Sequence, residues 1–311
     1  MLPTAEGSVL LSCLRLAHFS DPHLPLPALP HLREVRFKRI LSLLSWGLNR
    51  RQLHKWAPLC AVMRDIHSTH PDLVALTGDL TNLGLLSEFL QARRWLQDQN
   101  LPPTLLVPGN HEAVVRESSA AKEEIWAPWL HQDTSQNHPP LLVDKGVALI
   151  GLNTAVPSLP FFATGRTGLL QLSRLADCLE TTRAAGLCRV VLLHHPPLRH
   201  MVQDRKALTD LEALQDVLRN TGAELVLHGH SHRATTTTIP GTDIPVIGTT
   251  SASHIPDSPE KAAGWNCIDI EPQTKSWRIT VQRRALAANG QMHAHGSSHI
   301  FTRPRPEASD G

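Results

Sequence analysis

Five of the six strongest apolar runs in this chain hand over to clusters of Asp, Asn or His, and this repetition constrains the fold more than any other feature. The runs are Leu10–Phe19, Leu73–Thr77, Thr104–Val107, Gly146–Leu152, Arg189–Leu193 and Glu224–Leu227. Each is short and rich in Val, Ile or Leu, as strands covered on both faces are. The first leads through His18-Phe19-Ser20-Asp21-Pro22-His23, and the second into Gly78-Asp79-Leu80-Thr81-Asn82. The third is followed by Gly109-Asn110-His111-Glu112, the fifth by His194-His195-Pro196-Pro197, and the sixth by His228-Gly229-His230-Ser231-His232. Helical stripes lie between the runs: Leu85, Phe89, Ala92 and Leu96 on one, Leu172, Leu175, Ala176 and Leu179 on another. The alternation predicts a layered α/β fold. A capping box of Thr209 with Glu212 is expected to open a helix that stops near Gly222. The later pieces Ala234–Ile239, Ile244–Gly248, Trp265–Ile270 and Trp277–Gln282 read as a second, antiparallel sheet closing a sandwich.

Open α/β sheets bind ligands beyond the carboxyl ends of their strands. A single Asp or His there would be read as a turn or capping residue. Five clusters of one chemistry at one edge point instead to a metal site, with adjacent glycines letting the backbone turn sharply enough to aim side chains inward. Composition narrows the remaining choices. A chain of 311 residues can bury a full core without disulfides. Its 30 basic and 28 acidic residues leave +2, too little to imply a nucleic-acid partner. Cys13, Cys60, Cys178, Cys188 and Cys267 are odd in number and scattered, which predicts reduced thiols and a cytoplasmic protein. The N-terminus lacks a signal-peptide pattern, and no apolar run has the length of a membrane span. Residues 1–286 read as one domain, and 287–311 as a flexible tail in which His293, His295 and His299 are solvated.

The ordered blocks D-x-H, G-D, G-N-H-E, H-x-P and G-H-x-H, from Asp21 to His232, resemble the calcineurin-like metallophosphoesterase superfamily. The resemblance implies a four-layer α/β/β/α sandwich of two mixed β-sheets flanked by helices. It also implies two metal ions. Asp21, His23 and His232 would hold the first, Asn110, His194 and His230 the second, and Asp79 would bridge them. His194 is chosen over His195 because the family's ligand precedes an x-Pro pair. His111 would stabilise charge on the phosphate and protonate the leaving oxygen. Hydrolysis would proceed by attack of a metal-bridged hydroxide, without a covalent enzyme intermediate. Mixed imidazole and carboxylate ligands favour Mn, Fe, Zn or Co over Mg or Ca. The stretch after Gly78 lacks the second Asp and the Arg of the protein-phosphatase motif G-D-x-V-D-R-G. It is closer to the bacterial phosphodiesterase branch, which includes class III cyclic-nucleotide phosphodiesterases. Classical UDP-2,3-diacylglucosamine hydrolases carry Arg where His111 stands, although other metallophosphoesterases performing that step keep a histidine.

Residues 33–55 form a basic, amphipathic insertion, with seven cations against Glu34. As a helix, Phe37, Ile40, Leu41, Leu44 and Leu48 make a stripe expected to pack on the core. Leu43 and Trp46 lie among arginines on the opposite face, where a membrane surface or a lipid substrate would meet them. His54 and His67 read as surface or core residues, as do His18, His31, His70, His131 and His138. His254, Arg199 and His200 are candidate substrate contacts. The expected function is hydrolysis of a phosphodiester or pyrophosphate bond, with a cyclic-nucleotide-type substrate favoured. The alternative is a nucleotide-linked lipid such as UDP-2,3-diacylglucosamine. A nuclease or a non-catalytic scaffold is more remote.

Overall fold

The computed structural model describes residues 12–27, 37–115, 118–131 and 139–305. The first sheet runs in the order β12(Met292–Ala294), β11(Ser276–Leu286), β10(Gly264–Pro272), β1(Leu14–Phe19), β2(Leu73–Leu76), β3(Thr104–Leu106), with β13(His299–Pro304) also on β11. The second runs β4(Leu141–Asp144), β5(Val147–Gly151), β6(Cys188–Leu193), β7(Leu225–His228), β9(Pro245–Gly248), β8(Thr235–Thr238). β1, β2 and β3 are parallel, as are β5, β6, β7 and β9, while β10 joins β1 antiparallel. Both sheets are therefore mixed. Parallel register, with Phe19 beside Leu76 and Leu193 beside His228, brings the carboxyl ends of these strands to common edges.

The period-2 alternation of strand side chains builds three cores from two sheets. Between the sheets lie Leu16, Ala75 and Leu105 from one side, and Leu149, Val190 and Leu227 from the other. On the outer face of the first sheet, Phe19, Val74 and Leu76 meet Leu59 and Ile66 of α3(Trp56–Ser68), Phe89 of α4(Leu86–Gln99) and Trp126 of α5(Ser118–Leu130). On the outer face of the second, Ile150, Val191 and Val226 meet Leu175 of α6(Leu169–Ala184) and Leu214 of α7(Leu211–Thr221). The layers are thus α/β/β/α. Arg189 and Glu224, both buried and 2.8 Å apart, tie the starts of β6 and β7. Among the described residues, no helix is long and apolar enough to cross a membrane.

Several expectations are corrected by tertiary pairing. The first strand starts at Leu14; Ser12 and Cys13 are not strand, and Leu10 lies outside the described residues. The later strands do not make a sheet of their own. β9 continues the second sheet in parallel beside β7, whereas β10 and β11 cover the free edge of β1. Their alternation explains the choice: Ile268, Ile270 and Ile279 face the inter-sheet core and Trp265 faces α3. The tail from 287 is not loose over its described length. β12 pairs the end of β11 and β13 pairs its beginning, through main-chain bonds that polar side chains do not oppose. The capping box at Thr209 does not form either. The Thr209 hydroxyl donates to the Gly165 carbonyl, and Asp210 accepts from the Thr167 and Gly168 N–H groups at the start of α6. β4, after two prolines, was not apparent in the sequence.

Beneath the edge of the inter-sheet core, His18 is fully buried. Asn266 donates to its Nδ1 at 3.2 Å, and its Nε2–H donates to the Thr77 hydroxyl at 3.1 Å, which specifies a neutral ring. Burial, with a smaller contribution from His228, pushes it down to about 3. An unfolded chain would protonate this group near its ordinary value of about 6.5. Below that value the unfolded state gains a proton that the folded state refuses, so stability falls as pH falls. Urea titrations between about pH 6.5 and 4 should show His18→Gln with a slope shallower than wild type by on the order of 1.4 kcal/mol per pH unit. Equal slopes would show that His18 is protonated in the folded protein.

Candidate metal centre

The strand ends carry the predicted residues to one place. Asp21 and His23 follow β1, Asp79 follows β2, and Asn110 opens a short 3-10 turn, Asn110–Ala113, beyond β3. His194 follows β6, and His230 and His232 follow β7. Five of these have left-handed backbones: Asp21 (φ 53°), His23 (41°), Asp79 (57°), His230 (63°) and His232 (51°). Each such residue costs on the order of 1 kcal/mol and persists where the surroundings over-determine it. Here the Asp21 and His23 N–H groups donate to the Gly78 and Asp79 carbonyls at 2.9 and 3.0 Å. Gly109 and Gly229 are required by close approach, since a Cβ would collide with the Asp79 carboxylate at one and with Ser20 at the other.

Four acceptors converge in the first group. His194 Nε2 lies 3.3 Å from Asp79 Oδ2, 3.1 Å from Asn110 Oδ1 and 3.2 Å from His230 Nδ1. The other nitrogen of each ring donates to a carbonyl: His194 Nδ1 to Thr77 at 2.6 Å, and His230 Nε2 to Lys206 at 3.0 Å. A carbonyl only accepts, so two neutral rings would leave lone pairs facing each other and two oxygens. A positive centre resolves this. Burial opposes charging His194, but the adjacent Asp79 carboxylate overrides it and lifts the imidazole to about 9. A proton fills the gap on those terms, and a divalent cation bound by two imidazoles, a carboxylate and an amide oxygen fits the same donors.

The second group joins Asp21, His23 and His232. His232 Nε2 lies 2.9 Å from Asp21 Oδ1 and 3.4 Å from His23 Nε2, and His23 Nδ1 donates to the Thr81 carbonyl at 3.3 Å. His54 belongs here too, contrary to its reading as a surface or core residue. Its ring packs edge-on to His23 with centroids 4.5 Å apart, and its nitrogen completes a possible donor set with His23 and His232. Sequence spacing held no signal for this, because His54 arrives on the segment after the basic helix and is fixed by Ser251 and Ser253. Asp79 reaches both groups, sharing one donor set with His194 and His230 and another with His23 and His111.

His194 and His195 are sharply distinguished. His195 Nδ1 pairs with the Thr154 hydroxyl at 2.8 Å and its Nε2 donates to the Ala163 carbonyl at 3.2 Å, so both nitrogens are turned from the cluster. His111 stands at the mouth, where its N–H donates to Asp79 Oδ1 at 2.9 Å and its Nδ1 to the Asn82 carbonyl at 2.7 Å. His254 lines the same cleft of about 660 Å³. Arg199 and His200 do not: they line a separate hollow, where Arg199 pairs with Glu212 on the surface. Nor do Leu43 and Trp46. The helix α1(Phe37–Ser45) presents Lys38, Leu41 and Ser42 to the cleft instead.

That helix also reverses the expected packing. Ile40, Leu44 and Leu48 are exposed, while the Arg39 guanidinium, predicted outward, donates to the Leu83 and Gly84 carbonyls. A guanidinium that finds carbonyls fixes the rotation of a nine-residue helix. Residues 33–36 of the insertion, like His31 and His138, lie outside the described residues.

Two buried glutamates hold the loop that carries Asp79, and neither had a role in the sequence reading. Glu112 accepts the N–H groups of Asp79, Thr81 and Gly109 at 2.9, 2.9 and 2.7 Å. Glu88 accepts those of Asn82, Leu83 and Leu85. Burial, then the Asp79 charge, pushes the Glu112 carboxyl up to about 7 against the pull of its donors. Glu112→Gln sets an amide N–H₂ against backbone N–H groups. It should cost about 2–3 kcal/mol in urea unfolding, and bound metal measured after dialysis should fall with it. Wild-type stability and metal content would refute this role for Glu112.

The sequence profile of the calcineurin-like phosphoesterase family matches residues 14–234, which span every residue from Asp21 to His232. A probable cyclic nucleotide phosphodiesterase of a Synechococcus strain is 28% identical over 225 residues, covering 71% of this chain and 80% of its own. A cAMP/cGMP dual specificity phosphodiesterase of Mycobacterium tuberculosis is 28% identical over 220 residues, covering 66% of this chain and 64% of its own. A dimetal phosphatase structure from Danio rerio superposes with a TM-score of 0.53 at 13% identity, covering 93% of this chain and 99% of its own, a likeness of fold. The chain belongs to the calcineurin-like phosphoesterase family and is a metal-dependent phosphoester hydrolase.

Proposed function

We propose that the chain hydrolyses a phosphodiester of the cyclic-nucleotide type over two cations held at this edge. The observation that carries the reading is the convergence of Asp79, Asn110, His194 and His230 on one point, with Asp79 also facing the group of Asp21, His23 and His232. Members of this family use a dinuclear metal centre. In this proposal Asp21, His23 and His232 would hold one ion and Asn110, His194 and His230 the other, with Asp79 contributing to both. Mn, Fe, Zn and Co suit that donor set. When bound, such a pair supplies an activated water and neutralises charge on the non-bridging phosphate oxygens. The chain's own groups do the rest. His111 Nδ1–H donates to the Asn82 carbonyl, so Nε2 is the atom that would deliver a proton to the leaving oxygen.

The cleft suits an anion joined to an apolar plane. Arg205, Arg233 and Lys261 line one part of it, and Leu41, Leu53, Val114 and Phe161 another. A nucleoside base could lie on the apolar wall while its phosphate occupies the centre. The names of the relatives favour a cyclic nucleotide. A nucleotide-linked lipid is the second reading, favoured by the contribution of Leu41 and the loop at Phe161 to the wall.

Turnover of 3′,5′-cyclic AMP and of UDP-2,3-diacylglucosamine in detergent, side by side in excess Mn²⁺, separates the two; preference for the lipid would displace the cyclic-nucleotide reading. His111→Ala should lower kcat by about 10²–10⁴-fold with metal content retained. Metal lost together with activity would make His111 a ligand. Asp79→Asn should abolish activity and metal binding while shifting the unfolding midpoint little; retained metal would mean the bridge is misassigned.

A further inference from the structure

His54 is fastened at the metal centre from both sides of its own position in the chain. It follows a short helical turn, Arg51–Leu53, and meets the loop beyond β9. The Lys55 N–H donates to the Ser253 carbonyl at 2.8 Å, and the Ile255 N–H donates to the Leu53 carbonyl at 2.8 Å. The same loop runs beside the end of β1, where the Ala252 N–H donates to the Ser20 carbonyl at 2.9 Å and the Ser251 hydroxyl to the Asp21 carbonyl at 2.6 Å. One loop therefore holds both Asp21 and His54. The His54 ring lines the cleft, its centroid 4.5 Å from that of His23 and 5.4 Å from that of His232.

Hydrogen bonding selects the tautomer of this ring. The Ser251 hydroxyl gives its single proton to the Asp21 carbonyl, so toward His54 Nδ1, 3.1 Å away, it can only accept. Ser253 Oγ lies 2.9 Å from the same nitrogen and 3.3 Å from Ser251 Oγ, to which its hydroxyl can donate in turn. Nδ1 therefore carries the proton, and the lone pair of the neutral ring is on Nε2. His23 is set the same way by the Thr81 carbonyl, which accepts from its Nδ1. A nitrogen of each of His23, His54 and His232 lies within 4.8 Å of the others, and His232 Nε2 is 2.9 Å from Asp21 Oδ1. Acceptors that fix a ring through its outer nitrogen are what a metal-binding imidazole requires of its surroundings.

We propose that His54 is a further ligand, through Nε2, of the cation held by Asp21, His23 and His232. This rests on the two-cation reading above and adds to it a donor from the basic insertion. Three imidazoles and a carboxylate favour Zn, Co, Fe or Mn over Mg or Ca. The ion would then tie the insertion to the strand ends, so that metal loading also sets the wall of the cleft to which Leu41 and Leu53 belong.

The full chain, stripped of metal and titrated with Co²⁺ against a competing chelator, should take up two equivalents. His54→Ala should bind one of them at least about tenfold more weakly and leave the other unchanged. In proton spectra of the Co²⁺-loaded protein, the variant should lack one hyperfine-shifted imidazole N–H signal. Added imidazole should restore the weakened equivalent, which separates a lost ligand from a disturbed fold; weakening that imidazole does not relieve would overturn the proposal. Asp21→Ala serves as the reference, because it removes a ligand already assigned to the same ion. If wild type takes up two equivalents and Asp21→Ala loses one, but His54→Ala keeps both at wild-type affinity, His54 is not a ligand and the two-cation reading stands. A raised KM for bis(p-nitrophenyl) phosphate with unchanged Co²⁺ affinity would likewise overturn the proposal, making His54 a substrate contact. A wild-type chain that takes up only one equivalent would instead sink the two-cation reading itself, and the His54 assignment with it.

Discussion

Everything at the functional edge depends on one electrostatic constraint: acceptor atoms from four different loops meet with too few protons to share. The Thr77 and Lys206 carbonyls take the outer nitrogens of His194 and His230, so the inner nitrogens face each other, Asn110 and Asp79. In a buried, low-dielectric setting such a meeting is unfavourable unless a positive charge stands among the acceptors. The carbonyl partners also orient the rings and determine which nitrogen points inward. The polypeptide is arranged for a cation before any cation arrives.

Holding that arrangement requires backbone conformations that side chains resist, and the fold meets the cost by gathering main-chain N–H groups onto buried carboxylates. Glu112 and Glu88 together fasten the loop from Asp79 to Leu85, while Gly109 lets the ends of β2 and β3, and Gly229 the ends of β1 and β7 from the two sheets, pass closer than a Cβ permits. Of the left-handed residues at the edge, Asp79 is held through its own N–H by Glu112, and Asp21 and His23 through theirs by the Gly78 and Asp79 carbonyls. Stability and function therefore share residues here: a change to Glu112 touches no substrate, yet it moves Asp79, Thr81 and the turn that carries His111.

Much of the centre was legible in the chain because its residues occupy short motifs at strand ends, where local sequence determines both the turn and the side chain it carries. Asp21, His23, Asp79, Asn110, His194, His230 and His232 meet as their positions after the apolar runs suggested, and His195 is turned away by Thr154 and Ala163. His54 was not legible. It enters from a segment with no strand, aimed by Ser251 and Ser253 about two hundred residues away in sequence. Arg199 and His200 illustrate the opposite error, since nearness to His194 along the chain did not keep them at the cleft once Glu212 offered a partner.

The sequence by itself determined the strands that lead into the site and the chemistry of the edge, because apolar runs and their polar ends are properties of neighbouring residues. Tertiary structure alone decided the placement of the late strands and the rotation of the basic helix. Strands such as β10 and β11 carry an alternation that either sheet could accept, and only the open edge of β1 and the helix above it discriminate. The rotation of α1 likewise turns on Arg39 finding the Leu83 and Gly84 carbonyls and Lys38 finding Ser158. Those hydrogen bonds connect residues far apart in the chain, so no periodicity within the helix could announce that its aliphatic stripe would face outward.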